Sequence, residues 1–297
     1  MPALFNKVTL IGIGLIGSSI ARVIKRDKIA RHLVAVAKSK KTIDTVLKLG
    51  IADSVTLDSS EAVKDADMVM LCSPLGTYKK IMREIGPNLK RGCILTDVGS
   101  VKGCVFEDIE IEKLLGVNLV PAHPVAGTEY SGPEAGFVEL FEGRWCVITP
   151  DKTASKESIE KICKLWKAAG SNVEIMDPNH HDQIMAMTSH LPHLISYTIV
   201  GTATDLEKSL VSEVVKYSAG GFRDFTRVAA SDPTMWGDIM IKNKEAVLEI
   251  LQRFNEDLTA LQRAIRWDEY DLIHDFFSKT RKIRKEVIEA KQEKMYD

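Results

Sequence analysis

The chain has 297 residues, 45% of them hydrophobic and 27% charged, with a formal net charge of −1. That composition describes a globular protein with room for two domains and for a core that needs no covalent staples. The near-neutral balance excludes nucleic acid binding by the overall field of the chain, and no nucleic acid partner is expected.

In chain order, Val8 to Ile11 reads as a buried strand, followed by a glycine-rich turn and a helix over 16–25. Leu33 to Val36 is the next strand and 41–49 the next helix. Met68 to Cys72 forms a third strand, ended by Ser73-Pro74, and Ile94 to Thr96 a fourth, ended by Asp97-Val98-Gly99-Ser100. Val117 to Val120 and Trp145 to Ile148 follow; a helix over 156–169 and a strand over 173–176 are expected to complete the same layer. Continuous apolar runs separated by helices predict a parallel sheet covered on both faces.

After Asp177-Pro178-Asn179, a boundary and helix-start signal, the pattern turns helical. Val247, Leu251, Phe254, Leu258 and Leu261 recur at spacings of four and three and make one apolar stripe. Gly220-Gly221 and Ser231-Asp232-Pro233 interrupt this region and are placed to present side chains to a cleft. The predicted fold class is α/β: a Rossmann-type domain with a parallel-rich sheet over 1–177, then an all-α helical domain over 178–297.

The turn after the first strand is Gly12-x-Gly14-x-x-Gly17. In a strand–turn–helix context this is the dinucleotide fingerprint. The first glycine permits the tight turn, the second admits the pyrophosphate, and the third lets helix and strand pack closely. Gly12, Gly14, Leu15, Ile16 and Gly17 are therefore candidate cofactor residues. Ser73 and Pro74 join them, because ligands sit outside the carboxyl ends of parallel strands. The second strand is followed by Ala37-Lys38-Ser39-Lys40-Lys41, with no carboxylate for a ribose 2′-hydroxyl. Lys38 and Ser39 suit a 2′-phosphate, which favours NADP over NAD.

His123-Pro124-Val125-Ala126-Gly127-Thr128-Glu129 sets one imidazole in a stretch of small, flexible residues. An ordinary histidine pKa suits proton transfer near neutral pH. The five cysteines, Cys72, Cys93, Cys104, Cys146 and Cys163, show no close pair and no zinc-ligand spacing, so reduced thiols and no metal are expected. No apolar run has the length of a signal-peptide core or a membrane span, and a cytoplasmic location without membrane contact is expected. Lys279 to Lys285 reads as a solvated helix face.

Six segments together resemble the prephenate dehydrogenase family, which includes arogenate and cyclohexadienyl dehydrogenases. They are Gly12 to Ser19, Asp97 to Lys102, His123 to Glu129, Ser189 to His193, Gly221 to Arg227, and Ser231 to Trp236. The resemblance spans almost the whole chain. It implies an NAD(P)-dependent oxidative decarboxylation of prephenate or arogenate in tyrosine biosynthesis. It implies His123 as the base that takes the substrate hydroxyl proton, and Ser100 as the residue that hydrogen-bonds and orients it.

The resemblance also implies Arg227 as the ring-carboxylate clamp and His193 as a contact near the substrate side chain. Thr128, Glu129 and Asp224 shape the pocket or pair with Arg227. Trp236 either walls the pocket or packs the core, and His190 has no assigned role. His180 and His181 are adjacent, so both cannot face one site. By analogy with related two-domain enzymes, a homodimer through the helical domain is expected. Two alternatives stand beside this reading: a hydroxyacid-type dehydrogenase with a helical second domain, and a non-enzymatic dinucleotide sensor.

Overall fold

The computed structural model describes residues 3–128, 130–204 and 220–289. The first layer alternates strands and helices. β1 (Phe5–Ile11), α1 (Leu15–Arg26), β2 (Ala30–Val36) and α2 (Lys40–Leu49) lead to β3 (Ser54–Thr56) and the short α3 (Ser59–Ala62). Then come β4 (Met68–Leu71), α4 (Tyr78–Ile85), β5 (Ile94–Asp97), α5 (Gly103–Ile109) and β6 (Asn118–Leu119). The six strands form one sheet in the order β3-β2-β1-β4-β5-β6, and every pairing is parallel. This is the doubly wound arrangement, with its crossover point beside β1. Val8, Leu10, Met68, Met70, Leu71 and Leu95 are fully buried, as strands covered on both faces require.

The register fixes where the sheet's carboxyl edge lies. Ile11 stands opposite Leu71, and Leu71 opposite Asp97. Neighbouring strands are about 4.8 Å apart, so Asp97 sits roughly 10 Å across the edge from the turn that begins at Gly12.

A second, smaller sheet departs from the expectation of one continuous layer. β7 (Ala122–Pro124) pairs antiparallel with β8 (Trp145–Ile148), and β8 pairs parallel with β9 (Asn172–Ile175). The chain leaves the first sheet at Pro121, which has no N–H to donate. The Val120 amide still bonds the carbonyl of Leu95, but the Ala122 amide bonds the Asp97 carboxylate instead of a strand. α6 (Lys156–Ala168) covers this sheet, with Trp166 fully buried edge-on against Phe141.

The remaining described elements are helical. α7 (Pro178–Met185) begins at Asp177, whose side chain accepts from the amides of Asn179 and His180, with Pro178 in the first turn. A π-turn over Ala186–His190 runs into α8 (Leu191–Thr204). Gly220 and Gly221 open α9 (Gly220–Thr226), a 3₁₀ turn spans Arg227–Ala230, and α10 (Pro233–Lys242) is capped by Asp232. α11 (Lys244–Arg266) and α12 (Tyr270–Glu289) follow.

The compact units are Met1–Lys244 and Glu245–Asp297. They part well beyond Asp177, where the sequence pattern changes, because α7 to α10 are bonded into the first layer. Lys242 pairs with Asp108 at 2.6 Å, Asp238 accepts from the Gly76 amide at 3.0 Å, and Asp182 accepts from the start of α5. In the second unit the apolar stripe is only partly covered. Val247 is buried and Leu258 is 53% exposed.

Candidate active site

The glycine turn is built as a cradle. Gly12 has φ of 100°, a conformation that costs L side chains. A Cβ there would lie 2.8 Å from the carbonyl oxygen of Cys72, and one at Gly17 would collide with the carbonyl oxygen of Gly12. Gly14 differs, because a Cβ there meets nothing within 4 Å. Gly14 is the N-cap of α1, with no side-chain cap and no acidic residue in the first turn. The amides of Leu15 and Ile16 and the positive end of the helix dipole are thus left for an anion. Two glycines lock the turn and the third leaves it open, which fits a dinucleotide pyrophosphate.

After β2, Lys38, Lys40 and Lys41 are exposed, and Ser39 caps α2 by accepting from the Thr42 amide at 3.2 Å. The Ser39 hydroxyl therefore has a structural task besides any contact with a cofactor. Ser73 and Pro74 follow β4, where the Ser73 hydroxyl lies 2.8 Å from that of Thr77.

Next along the carboxyl edge lies a buried ion pair. Asp97 and Lys102 are both fully buried. The Lys102 Nζ donates to both Asp97 oxygens, at 2.7 and 2.6 Å, and to the carbonyl of Ala122 at 2.9 Å. Asp97 also accepts from the Tyr78 hydroxyl at 3.0 Å and from the amides of Gly99 and Ala122 at 2.8 and 3.2 Å. All three ammonium protons are used. Breaking a buried pair from one side costs about 3–5 kcal/mol, so this hub resists substitution of either member.

His123 is the residue after Ala122 and is 7% exposed. Its Nδ1 lies 2.8 Å from Nε2 of His181, on α7. Nδ1 of His181 lies 2.7 Å from Oδ1 of Asp182. Asp182 is fixed in turn, because its two oxygens accept from the amides of Lys102 and Gly103, both at 2.8 Å. Burial pushes the His123 pKa well below the usual histidine value; His181, Lys102 and His190 push the same way. Burial also lowers His181, against the hydrogen bond that it gives to Asp182. Both rings are therefore neutral near pH 7, and Nε2 of His123 has no hydrogen-bond partner among the described residues.

This arrangement revises one expectation. No hydrogen bond joins Ser100 to His123; the partner of the imidazole is His181. Ser100 is half-buried in the turn after β5, two residues from Lys102.

On the helical side, Nδ1 of His193 donates to the Ser189 carbonyl at 2.8 Å, leaving Nε2 as the acceptor. Its ring stacks on Trp236 at 3.5 Å between centroids. Burial lowers the His193 pKa, and the charge of Arg227 lowers it further. Trp236 is 7% exposed, so it packs the core and backs His193 at once. His190 is fully buried; its Nδ1 accepts from Asn243 at 3.0 Å and its ring meets Trp236 edge-on.

Arg227 opens the 3₁₀ turn after α9 and is exposed. Among the described residues it has no ion pair with Asp224, which leaves the pocket-shaping alternative for that residue. Asp224 is itself exposed on α9, and Thr128 is exposed in the loop after β7, where its hydroxyl accepts from the Tyr130 amide. Glu129 lies outside the described residues.

Sequence reasoning missed His181, Asp182 and the Asp97–Lys102 hub. The first two sit beside His180 in a run of polar residues, and only burial separates them: His181 is fully buried while His180 is exposed. Helical geometry supplied half of that signal, because successive residues point about 100° apart.

Comparison with known proteins follows the same architecture. The family model for the nucleotide-binding domain of prephenate dehydrogenase matches residues 20–175, and that for its dimerization domain matches residues 177–279. The cyclohexadienyl dehydrogenase of Zymomonas mobilis is 39% identical over 280 residues, covering 94% of this chain and 95% of its own. The prephenate dehydrogenase of Bacillus subtilis is 28% identical over 285 residues, covering 96% of this chain and 76% of its own. A crystal structure of prephenate dehydrogenase from A. aeolicus, in complex with hydroxyphenyl propionate and NAD+, superposes with a TM-score of 0.87 at 33% identity, covering 95% of this chain and 98% of that one. Synechocystis arogenate dehydrogenase superposes with a TM-score of 0.79 at 25% identity, covering 95% and 99%.

Proposed function

The chain belongs to the prephenate dehydrogenase family, and from that premise we propose how its residues divide the work of a dinucleotide-dependent oxidative decarboxylation in tyrosine biosynthesis. The substrate is a cyclohexadienyl acid, prephenate or arogenate, as the relatives' names indicate. When bound, a nicotinamide dinucleotide would supply the acceptor for hydride from the hydroxyl-bearing ring carbon. Gly12, Gly14 and Gly17 with the free amides of Leu15 and Ile16 hold the pyrophosphate, and Ser73 and Pro74 border it. Lys38 and the neighbouring cations favour a 2′-phosphate, hence NADP over NAD; the NAD+ in the A. aeolicus complex belongs to that protein.

His123 is the base. The observation that carries this is its geometry: a neutral imidazole with Nδ1 engaged and Nε2 unpartnered, at the carboxyl edge that also holds the glycine turn. Nε2 accepts the hydroxyl proton, the developing ketone draws electrons from the ring, and loss of carbon dioxide makes the ring aromatic. Arg227 holds the ring carboxylate through its planar fork, and His193, braced by Trp236, meets the side chain. Thr128 and Asp224 border the pocket, and Ser100 follows β5 at the same carboxyl edge. We place the functional division near residue 177; the extents of the two family models, 20–175 and 177–279, support it.

The protein acts as a cytoplasmic homodimer in this reading. The exposed apolar residues of α11 and α12 and the dimerization-domain match support the dimer. No described helix is long and apolar enough to cross a membrane.

Steady-state kinetics with prephenate and arogenate, each with NAD+ and NADP+, test the assignment. Turnover of at least one cyclohexadienyl substrate is expected, and His123→Asn is expected to keep cofactor affinity while losing about 10²–10⁴-fold in kcat. No turnover with either substrate would favour the sensor reading, and turnover of small hydroxy acids the hydroxyacid one.

A further inference from the structure

We infer that His181 and Asp182 form a positioning dyad that holds the proton of His123 on Nδ1 and so keeps Nε2 bare to receive the substrate proton. The inference rests on His123 being the base. It follows from the order of the hydrogen bonds. Both oxygens of Asp182 already act as acceptors, since each takes a backbone amide from Lys102 or Gly103. The third bond, 2.7 Å to Nδ1 of His181, then runs from imidazole to carboxylate. A neutral His181 has one ring proton, and Asp182 fixes it on Nδ1. Nε2 of His181 is left as a lone pair, 2.8 Å from Nδ1 of His123, which must be the donor of that bond. The tautomer of the outer ring is thus set two residues away.

The fixed polarity also serves the charged state. When Nε2 of His123 takes a proton from the hydroxyl, the ring becomes an imidazolium that still donates Nδ1–H to His181. The proton count is closed: the hydroxyl proton moves to Nε2, while the hydrogen bonds from His123 to His181 and from His181 to Asp182 keep their donors. The charged and titratable groups facing His123 are His181, Lys102 and His190; those facing His181 are Asp182, Lys102 and Asp97. Lys102 and the two other histidines disfavour the cation, and the dyad supplies the acceptor that orients it. The rings of His123 and His181 meet at 77°, so they bond edge to edge without stacking.

The test uses the full chain labelled with ¹⁵N-histidine. A long-range ¹H–¹⁵N spectrum reports which ring nitrogen carries the proton, and His123 is identified by the signals lost in His123→Asn. The expected result is a single Nδ1–H tautomer at neutral pH. A His123 protonated on Nε2 would overturn the inference. Turnover of prephenate with the preferred dinucleotide gives the second arm. His181→Leu removes the acceptor and is expected to lower kcat on the order of 10²-fold with KM and cofactor affinity unchanged. His181→Gln, whose amide oxygen can take the Nδ1 proton, is expected to recover at least tenfold of that loss.

Equal kcat in the Leu and Gln variants, or wild-type kcat in His181→Leu, would also overturn it. If His181→Leu does not fold, the wild-type spectrum decides alone. Retained turnover in His123→Asn would remove the base assignment itself while leaving the tautomer measurement valid, so the two failures are told apart.

Discussion

A histidine that must accept a proton works only while it is neutral, and burial secures that state for His123. Its pKa is driven well below the ordinary histidine value, first by desolvation and then by His181, Lys102 and His190. The sign of the pH dependence follows. The imidazole is deprotonated at neutral pH and gains a proton only in acid, so kcat/KM is expected to hold level down through pH 6.5 and to fall below it. A kcat/KM profile of the free enzyme checks this; an acid limb centred above pH 6.5 would contradict the desolvated placement. His190 shares the habit, with a pKa pushed down to about 4 by burial.

The proposed base was legible in the sequence because a lone imidazole followed by a proline and small residues is conspicuous. Its partner was not, since His180 and His181 are chemically identical on paper and differ only in which side of α7 is covered. Ser100 illustrates the converse. The resemblance supplied a hydrogen bond that the structure gives to His181 instead.

Among the elements, the strand–turn–helix unit formed by β1 and α1 shows how three glycines in one motif do three different jobs. Gly17 has no room for a methyl group because the Gly12 carbonyl stands against it, whereas Gly14 faces open space. Gly14→Ala is therefore expected to leave the melting temperature within a few degrees of wild type and to weaken dinucleotide binding at least tenfold. Gly17→Ala is expected to lower the melting temperature as α1 is forced from β1. Thermal melts with and without dinucleotide, together with fluorescence titration, separate the two. A Gly14→Ala protein that binds cofactor normally would remove that glycine from the site.

The strands of the first sheet were readable for the same reason that they are buried on both faces: Val8 to Ile11 and Met68 to Leu71 are unbroken apolar runs. β3 was not, because Ser54 to Thr56 is a half-covered edge whose residues carry no such signal. β7 was hidden by its histidine and proline. The change of sheet at Pro121 was invisible because its cause is a contact between distant residues, the Ala122 amide with the Asp97 side chain.

For the whole molecule, the second unit leaves several large apolar side chains exposed, as interaction surfaces do. Leu248, Leu258, Ile265, Trp267 and Phe277 are all more than half exposed, and a groove of about 960 Å³ is lined by Leu248, Leu251, Ala260 and Leu272 among others. A stable obligate interface buries on the order of 2,000 Å² or more, and these helices offer apolar area of the right kind. Sedimentation is expected to give a dimer, with Leu258→Asp shifting the protein toward monomer and lowering its melting temperature. A wild-type monomer at micromolar concentration would leave those residues without a partner. The helical half was recognisable from its spacing of apolar residues. Where the compact units part was not, since Asp182, Asp238 and Lys242 fasten α7 and α10 to the first layer through polar contacts that no periodicity reveals.

The Lys102 ammonium spends its last proton on the carbonyl of Ala122, and that choice reaches beyond stability. It bolts the joint between the two sheets one residue before the proposed base. The proposed proton acceptor is thereby tied through its neighbour to the nucleotide fold. On the proposed assignment, an incoming acid meets a base whose backbone neighbour is already held in place.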